Sequence, residues 1–125
     1  MSGLVTVVVP AFNAANFLQR AVQSVLEQSY AHWELIIVND GSTDATGQLA
    51  DQLANQDERI TVVHQENCGL SGARNAGMRI AQGTYIQLLD ADDLLLPHKL
   101  QDQVGFLESR PDCAMVYGEG LYFEA

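Results

Sequence analysis

Three carboxylates stand within four consecutive residues of this 125-residue chain, in the stretch Asp90-Ala91-Asp92-Asp93. Ionised carboxylates so close together repel one another, and a fold tolerates them best with a cation between them. Their oxygens suit a hard divalent cation such as Mg²⁺ or Mn²⁺, and an ion with few protein ligands keeps positions open for phosphate oxygens. The stretch therefore predicts a metal-assisted phosphate site, although without its context it also fits a turn that caps a helix.

A second acidic stretch, Asn39-Asp40-Gly41-Ser42-Thr43-Asp44, offers a hydrogen-bond acceptor. We interpret Ser42, Thr43 and Asp44 as parts of a glycine turn in which Thr43 or Asp44 caps the next helix. Asp40 is different, because it stands at the tip of a predicted strand. There its carboxylate can accept hydrogen bonds from the N–H or O–H groups of a ligand.

Arg74 and two glycines lie at the start of a predicted helix. The helix macrodipole disfavours a cation in the first turn, so Arg74 either pairs with the acidic loops or contacts a ligand. Gly69 and Gly72 permit close backbone approach, and the helix N-terminus offers free N–H groups to an anion. The histidines show no metal-ligand spacing, and we interpret them as structural or surface residues.

Apolar blocks of strand length alternate with segments of helical period, and these elements must position the polar residues. The predicted strands are Leu4–Val9, Glu34–Val38, Ile60–Val63, Tyr85–Leu89 and Ala114–Tyr117. Because the blocks are apolar at consecutive positions, we expect strands that are buried on both faces of a parallel sheet.

Four helices are predicted between the strands. They are a stripe from Leu18 to Leu26, a shorter helix after Asp44, a stripe from Ala73 to Ala81 with Ser71 as N-cap, and a helix through Leu100, Val104 and Leu107 with Pro97 in its first turn. The alternation predicts an α/β fold, namely a doubly wound, mostly parallel sheet with right-handed crossovers and helices on both faces.

In open sheets of this kind, ligands bind beyond the carboxyl ends of the strands. The residues that follow the first four predicted strands are Pro10 to Asn13, Asn39 to Asp44, Glu66 to Asn75 and Asp90 to Asp93. Five of the nine aspartates lie in these loops. We therefore expect one acidic, glycine-lined cleft along a single edge of the sheet.

The charge balance excludes several classes of function. Sixteen Asp and Glu against six Lys and Arg give a net charge of −10, which argues against binding to nucleic acid or to anionic lipid. The apolar runs are too short for a membrane helix, and the N-terminus lacks a basic leader, so we expect a cytoplasmic protein, with attachment to the cytoplasmic face of a membrane left open. Cys68 and Cys113 are interpreted as reduced and incidental. No dinucleotide fingerprint or P-loop is present.

The loops match one family in order and in spacing. The sequence resembles the nucleotide-sugar-binding half of family 2 glycosyltransferases, which have the GT-A fold, a Rossmann-like fold of nucleotide-diphospho-sugar transferases. The matching stretches are Val5 to Asn13, Ser24 to Tyr30, Glu34 to Asp44, Asn67 to Gly77 and Gly83 to Asp93.

The resemblance implies roles for these positions. Asp40 would hydrogen-bond the nucleobase, commonly uracil, with Arg74 close to it. Asp90 and Asp92 would form the DxD motif, with Asp92 as the direct metal ligand and Asp93 in support. Pro10 to Asn13 would line the base and ribose pocket. The implied donor-binding residues are Pro10, Ala11, Phe12, Asn13, Asp40, Asn67, Gly69, Arg74, Asp90, Ala91 and Asp92.

The implied reaction is transfer of a sugar, with inversion, from a nucleoside diphosphate sugar to a hydroxyl group. We expect a UDP-sugar as donor, Mn²⁺ or Mg²⁺ as cofactor, and a glycan, a lipid-linked molecule or another hydroxyl compound as acceptor. The family's catalytic base is an Asp or Glu of the half that follows, so we expect it beyond Ala125. Residues 1–125 are then a single donor-binding domain that lacks the acceptor half and transfers sugar poorly alone.

Two other functions fit parts of the sequence. A nucleotide-sugar or metal-binding fragment without catalysis would use the same residues. A phosphatase of the haloacid-dehalogenase type also has a DxD motif, but after its first strand and with a later lysine, whereas here the motif follows the fourth predicted strand and Lys99 is the single lysine. A truncated sheet also leaves an edge through which copies of the chain could pair as a homo-oligomer.

Overall fold

The computed structural model describes residues 3–110, in which strands and helices alternate. The elements are β1 (Val5–Ala11), α1 (Leu18–Leu26), β2 (Trp33–Asp40), α2 (Thr46–Gln56), β3 (Ile60–Gln65), α3 (Gly69–Ile80), β4 (Tyr85–Leu88) and α4 (Lys99–Ser109). The predicted strand Ala114–Tyr117 lies outside the described residues. Within residues 3–110, no helix is long and apolar enough to cross a membrane.

The strands form one sheet in the order β3-β2-β1-β4, and every pairing is parallel. The chain adds β2 and β3 on one side of β1 and then returns to place β4 on the other side. The carboxyl ends of β1 and β4 therefore flank a point where the direction of winding reverses, which is where open α/β sheets bind ligands. The predicted parallel α/β sheet is confirmed.

Helices cover both faces of the sheet. On one face, α1, α2 and α4 pack on side chains of the central strands such as Val7 and Leu35. On the other face, α3 packs through Ala73 on Val8 and Ile36. Gly77 is the closest point of this second contact, because a Cβ there would overlap the side chain of Val8. The sheet therefore has two apolar layers, as doubly wound folds require.

The two outer strands are less buried than predicted. β1 is buried at every position, but β3 is buried only at Ile60, and β4 alternates between partly buried and exposed positions. Ile86 and Leu88 of β4 are 46% and 38% exposed. The exposure of β4 arises because α3 packs mainly on β1 and β2. Within residues 3–110, that helix does not cover the same face of β4. The expectation of burial on both faces is therefore wrong for these two strands.

Several element boundaries also differ from the prediction; β2, for example, continues through Asn39 and Asp40. β1 continues through Pro10 and Ala11, so these residues are strand instead of loop. α3 begins at Gly69, which places Ser71 inside the helix, so the prediction of Ser71 as N-cap is wrong. α4 begins at Lys99, so Pro97 precedes the helix instead of lying in its first turn.

Candidate functional site

Two adjoining cavities open at the carboxyl edge of the sheet. The smaller, about 220 Å³ and here called the Asp40 pocket, is lined by Pro10, Ala11, Phe12, Asp40, Asn67, Gly69, Leu70 and Ala73. The larger, about 290 Å³ and called the Asp92 pocket, is lined by Pro10, Phe12, Asn13, Ala14, Phe17, Leu70, Asp90, Ala91 and Asp92. Because the pockets share walls, one extended ligand can span both. Every predicted donor-binding residue except Arg74 lines one of them.

Asp40 is a buried carboxylate of which one oxygen, Oδ1, has hydrogen-bond partners among residues 3–110. The residue is 3% exposed, and its Oδ1 accepts hydrogen bonds from Gln65 Nε2 at 2.9 Å and from the Cys68 N–H at 2.8 Å. Cys68 is the N-cap of α3, and the N-terminal end of that helix therefore donates a hydrogen bond to Asp40. Oδ2 has no hydrogen-bond partner among residues 3–110. One oxygen therefore anchors the side chain, and the other can accept a hydrogen bond in the Asp40 pocket.

The backbone around Asp40 is held by a glycine turn. Gly41 has φ +74°, and a Cβ there would lie 2.6 Å from the backbone nitrogen of Asn67. Asn67 in turn donates from Nδ2 to the Asp40 carbonyl at 3.1 Å. The loops after β2 and β3 therefore pack directly on each other, and the predicted glycine turn is confirmed.

Asn13 ties the loop after β1 to the loop after β2. Its Oδ1 accepts from the Thr43 N–H at 2.8 Å and from the Asp44 N–H at 3.3 Å, and its own N–H donates to Ser42 Oγ at 3.0 Å. Its φ of 49° is left-handed, a conformation that Asn tolerates better than most residues. Its amide oxygen therefore faces the Thr43–Asp44 backbone, although the residue also borders the Asp92 pocket.

Asp44 binds the start of α2, but the N-cap of that helix is Ala45, so the prediction that Thr43 or Asp44 caps it is wrong. Its Oδ1 accepts from the Thr46 N–H at 2.9 Å and from the Thr46 hydroxyl, and its Oδ2 accepts from the Ala15 N–H at 3.3 Å. The hydrogen bonds from Thr46 hold the pKa of Asp44 below its ordinary value. Asp44 stands one residue before the N-cap, Ala45, and the Thr46 hydroxyl accepts from the Ala14 N–H at 2.9 Å.

A further chain of hydrogen bonds runs from the surface of α2 to this loop. Asp51 Oδ1 lies 2.9 Å from His64 Nε2, and His64 Nδ1 lies 3.0 Å from Asn39 Nδ2. Asn39 Oδ1 accepts from the Ser42 N–H at 3.3 Å. Gly47 makes room for the pair, because a Cβ there would lie 2.8 Å from Asn39 Nδ2. His64 therefore has a structural role, in line with its interpretation as a structural or surface residue, although its partners were not predicted.

The loop after β4 carries the predicted carboxylates with few partners. The Asp93 N–H donates to the Asp90 carbonyl at 2.9 Å and closes a turn, and Asp93 is 8% exposed. Asp90 and Asp92 both line the Asp92 pocket. Asp92 is exposed and has no hydrogen-bond partner among residues 3–110. Within those residues, no group of three or more Asp, Glu, His or Cys converges on one metal position, so an ion here would need oxygens from its ligand.

Arg74 pairs with this loop. Its Nη2 lies 3.1 Å from Asp90 Oδ1, which fits the ion-pair alternative of the prediction. Its Nε is buried without a hydrogen-bond partner among the described residues. Because α3 begins at Gly69, Arg74 lies in the second turn, and the expected first-turn position is wrong. Arg74 contacts the Asp90 side of the site, whereas the resemblance placed it near the base.

Two exposed apolar side chains were missed. Phe17 is 46% exposed at the N-cap of α1, and Leu70 is 51% exposed in the first turn of α3. Both border the Asp92 pocket, and with Phe12, 52% exposed, they add apolar surface to a pocket that the carboxylates also line. Their signal in the sequence was a large apolar residue directly at a helix start. That signal is weak, because such residues usually join the core.

Solved structures with this arrangement are GT-A glycosyltransferases. The chain superposes on residues 1–349 of TarS from Staphylococcus aureus, solved in complex with UDP, with a TM-score of 0.79 and 25% identity, covering 89% of this chain and 33% of that one. It also superposes on the mannosyltransferase PcManGT from Pyrobaculum calidifontis, solved with GDP-Man and Mn²⁺, with a TM-score of 0.78 and 30% identity over 86% and 33% of the two chains. Fold and site thus define a GT-A type α/β protein.

The family follows from the sequence match. Residues 6–119 match the family described as Glycosyl transferase family 2, and the chain belongs to it. TuaG of Bacillus subtilis, named provisionally as a teichuronic acid biosynthesis glycosyltransferase, is 44% identical over 115 residues, or 91% of this chain. Glycosyltransferase GlyG of Streptococcus pneumoniae is 41% identical over 102 residues, or 81% of this chain. The chain spans 45% and 34% of these relatives, less than half of each.

Proposed function

We propose that this chain binds a nucleoside diphosphate sugar, with the nucleobase in the Asp40 pocket and the diphosphate in the Asp92 pocket. The observation that carries the proposal is the pair of adjoining cavities, which share Pro10, Phe12 and Leu70, with a buried carboxylate in one and two carboxylates in the other. The two ends of a nucleotide match these two pockets. Its base has N–H donors that suit the carboxylate of the Asp40 pocket, and its negatively charged diphosphate suits a cation held by the carboxylates of the Asp92 pocket. The complexes of TarS with UDP and of PcManGT with GDP-Man support this choice of ligand.

The base end selects for an N–H donor. Asp40 Oδ2 is a charged acceptor at a position that is 3% exposed, and a charge-assisted hydrogen bond away from water is stronger than a neutral one. Phe12 adds an exposed ring to the same pocket. We propose a UDP-sugar as the donor, with a GDP-sugar as the alternative that PcManGT favours.

The diphosphate end calls for a cation. Asp90, Asp92 and a protein charge of −10 would repel a diphosphate, and Arg74 is already shared with Asp90. The donor set fits a divalent metal, because carboxylate and phosphate oxygens are the ligands that Mg²⁺ and Mn²⁺ prefer. Asp92, which has no hydrogen-bond partner among residues 3–110, would hold the ion, and Asp90 would assist. Bound there, the ion would stabilise the negative charge of the departing diphosphate.

The reaction we propose is transfer of the sugar, with inversion, to an acceptor hydroxyl. The residues of this chain bind and orient the donor, and they keep the diphosphate next to the metal carboxylates. We assign the base and the acceptor contacts to the part of the longer relatives that this chain does not span. On this proposal, residues 1–125 are a donor-binding domain that transfers sugar poorly alone.

The test is a thermal-shift and calorimetric titration with UDP, GDP, dTDP and CDP, each with Mn²⁺ and with EDTA. At about 100 times its dissociation constant, a ligand of the folded state adds roughly 2.7 kcal/mol of stability. We expect Asp92→Asn to lose the Mn²⁺-dependent part of the binding. The matched control is Asp102→Asn, at an exposed carboxylate of α4, and we expect it to bind like the wild type.

Binding by none of the four nucleotides would contradict the proposal, as would binding that Mn²⁺ and Asp92→Asn leave unchanged. A measurement of donor turnover distinguishes transfer by residues 1–125 from donor binding without catalysis. Hydrolysis or transfer of the bound donor by residues 1–125 alone would contradict the assignment of the base to the remainder of the longer proteins. Binding without turnover supports that assignment.

A further inference from the structure

The last turn of α1 and the residues just after it hold the segment that follows the carboxylates. The hydrogen bonds of this contact include those from the Leu95 N–H to Ser24 Oγ at 3.1 Å, from Gln28 Nε2 to the Leu96 carbonyl at 2.6 Å, and from the Ser29 N–H to the Pro97 carbonyl at 2.9 Å. Leu95 and Leu100, on the held segment, are 5% and 2% exposed and join the main core. The segment that follows the Asp90–Asp93 loop is therefore held both by hydrogen bonds to residues 24–29 and by its leucines in the core.

Gln28 is the centre of this contact, and its amide is used on both sides. It is 7% exposed. Its Oε1 accepts from the Leu100 N–H at 3.1 Å, and its Nε2 also donates to the Ser24 carbonyl at 3.1 Å. The N-cap of α4, His98, makes no side-chain cap, so Gln28 satisfies one N–H that a helix start leaves open. A side chain with both a donor and an acceptor is needed here.

The other end of α1 borders the site. Phe17 at the N-cap of α1, and Ala14 before it, line the Asp92 pocket together with Asp90 and Asp92. Asp92 itself has no hydrogen bond within residues 3–110. Its position depends on the loop that carries it. That loop is tied to the sheet where the Leu89 N–H donates to the Val8 carbonyl at 2.9 Å, is closed by the turn between Asp93 and Asp90, and is followed by the segment that Gln28 holds.

We propose that Gln28 is a positioning residue for the two carboxylates, and that it sets the width of the Asp92 pocket and thereby the affinity for a metal-bound diphosphate. The binding part of this inference rests on the proposed function. Gln28 touches no ligand. It acts through the segment 95–100, and it leaves the Asp40 pocket unchanged.

The experiment compares Gln28→Ala with Gln23→Ala, at an exposed glutamine of α1. Dissociation constants for UDP and GDP are measured in Mn²⁺ and in EDTA, and the ratio of the two constants is the readout. Misplaced binding groups cost one to two orders of magnitude, so we expect Gln28→Ala to reduce the metal-dependent gain by about tenfold. The constant in EDTA and all values for Gln23→Ala should stay within about twofold of the wild type.

Ser24→Ala is the milder second variant, because alanine suits the helix and only the bond to Leu95 is lost from the segment contact. Hydrogen exchange followed by mass spectrometry should show faster exchange in residues 93–100 for Gln28→Ala and Ser24→Ala, with β1 and β2 unchanged. Equal loss of binding in Mn²⁺ and EDTA, or an unchanged ratio, would overturn the proposal. If the wild type binds no nucleotide, the proposed function fails, and unchanged exchange in residues 93–100 would then overturn the anchor as well.

Discussion

The loops that follow β2 and β4 are built in opposite ways. After β2, backbone N–H groups of Ser42, Thr43 and Asp44 are each bound by a side-chain oxygen from Asn39 or Asn13. After β4, Asp90 pairs with Arg74, the Asp93 N–H closes a turn on the Asp90 carbonyl, and Asp92 has no hydrogen-bond partner among residues 3–110. The loop after β2 is held by its own hydrogen bonds, whereas on the proposed function a bound cation completes the loop after β4. A preformed loop spares the entropy cost of ordering it on binding. Carboxylates without partners remain available to bind a cation.

The largest expected effect tests whether the β2 side is preformed. Asp40→Asn keeps an oxygen for Gln65 and Cys68 but presents an N–H₂ group to the ligand. Hydrogen bonds to charged groups contribute about 1.5–3 kcal/mol, so nucleotide affinity should fall by about 10- to 100-fold, equally in Mn²⁺ and in EDTA. Isothermal titration calorimetry measures this, with Asp102→Asn as control. A loss of affinity seen only in Mn²⁺ would mean that Asp40 acts through the metal, and the contrast between the two loops would then be wrong.

The next effect is on stability. Asn13→Ala removes the acceptor for the Thr43 and Asp44 N–H groups and places alanine at a φ of 49°. Because these groups can regain water, we expect a loss of about 1–2 kcal/mol in the free energy of unfolding, measured with urea. Asn16→Ala, at an exposed asparagine of the same loop, is the matched control. Asp92→Asn should leave unfolding unchanged, and an equal loss there would remove the contrast between the loops.

The smallest effect is on the pH dependence of the β2 side. Hydrogen bonds from Thr46 lower the pKa of Asp44 from 3.8, so its ionised form stabilises the fold. That contribution is complete above the ordinary value and is lost as the pH falls through the lowered one. The difference in urea midpoint between wild type and Asp44→Asn should therefore be constant above about pH 5 and shrink towards pH 2. A difference that grows on acidification would show that Asp44 is destabilising when charged.

The sequence predicted the sheet and its order of elements well, because the apolar blocks and helical stripes are local patterns. It also placed Asp40 at a strand end and Asp90 with Asp92 at the same edge. It did not reveal how far the loops are interlocked. Asn13 meets Thr43 across 30 positions, and Gln28 meets Leu100 across 72. Such pairings depend on how loops and helix ends pack, which no local period encodes. The exposure of Ile86 depends likewise on where α3 lies over the sheet.

The contact between Asn39 and His64 determines where the imidazole carries its proton. Asn39 Oδ1 accepts from the Ser42 N–H, so its Nδ2 is the atom that faces His64 Nδ1 and donates to it. Nδ1 is then a bare acceptor, and the hydrogen sits on Nε2, directed at Asp51. This tautomer can be read from the ¹⁵N shifts of the ring. The Asp51 carboxylate and the Asn39 amide thereby fix the orientation of the imidazole between α2 and the turn beside Asp40.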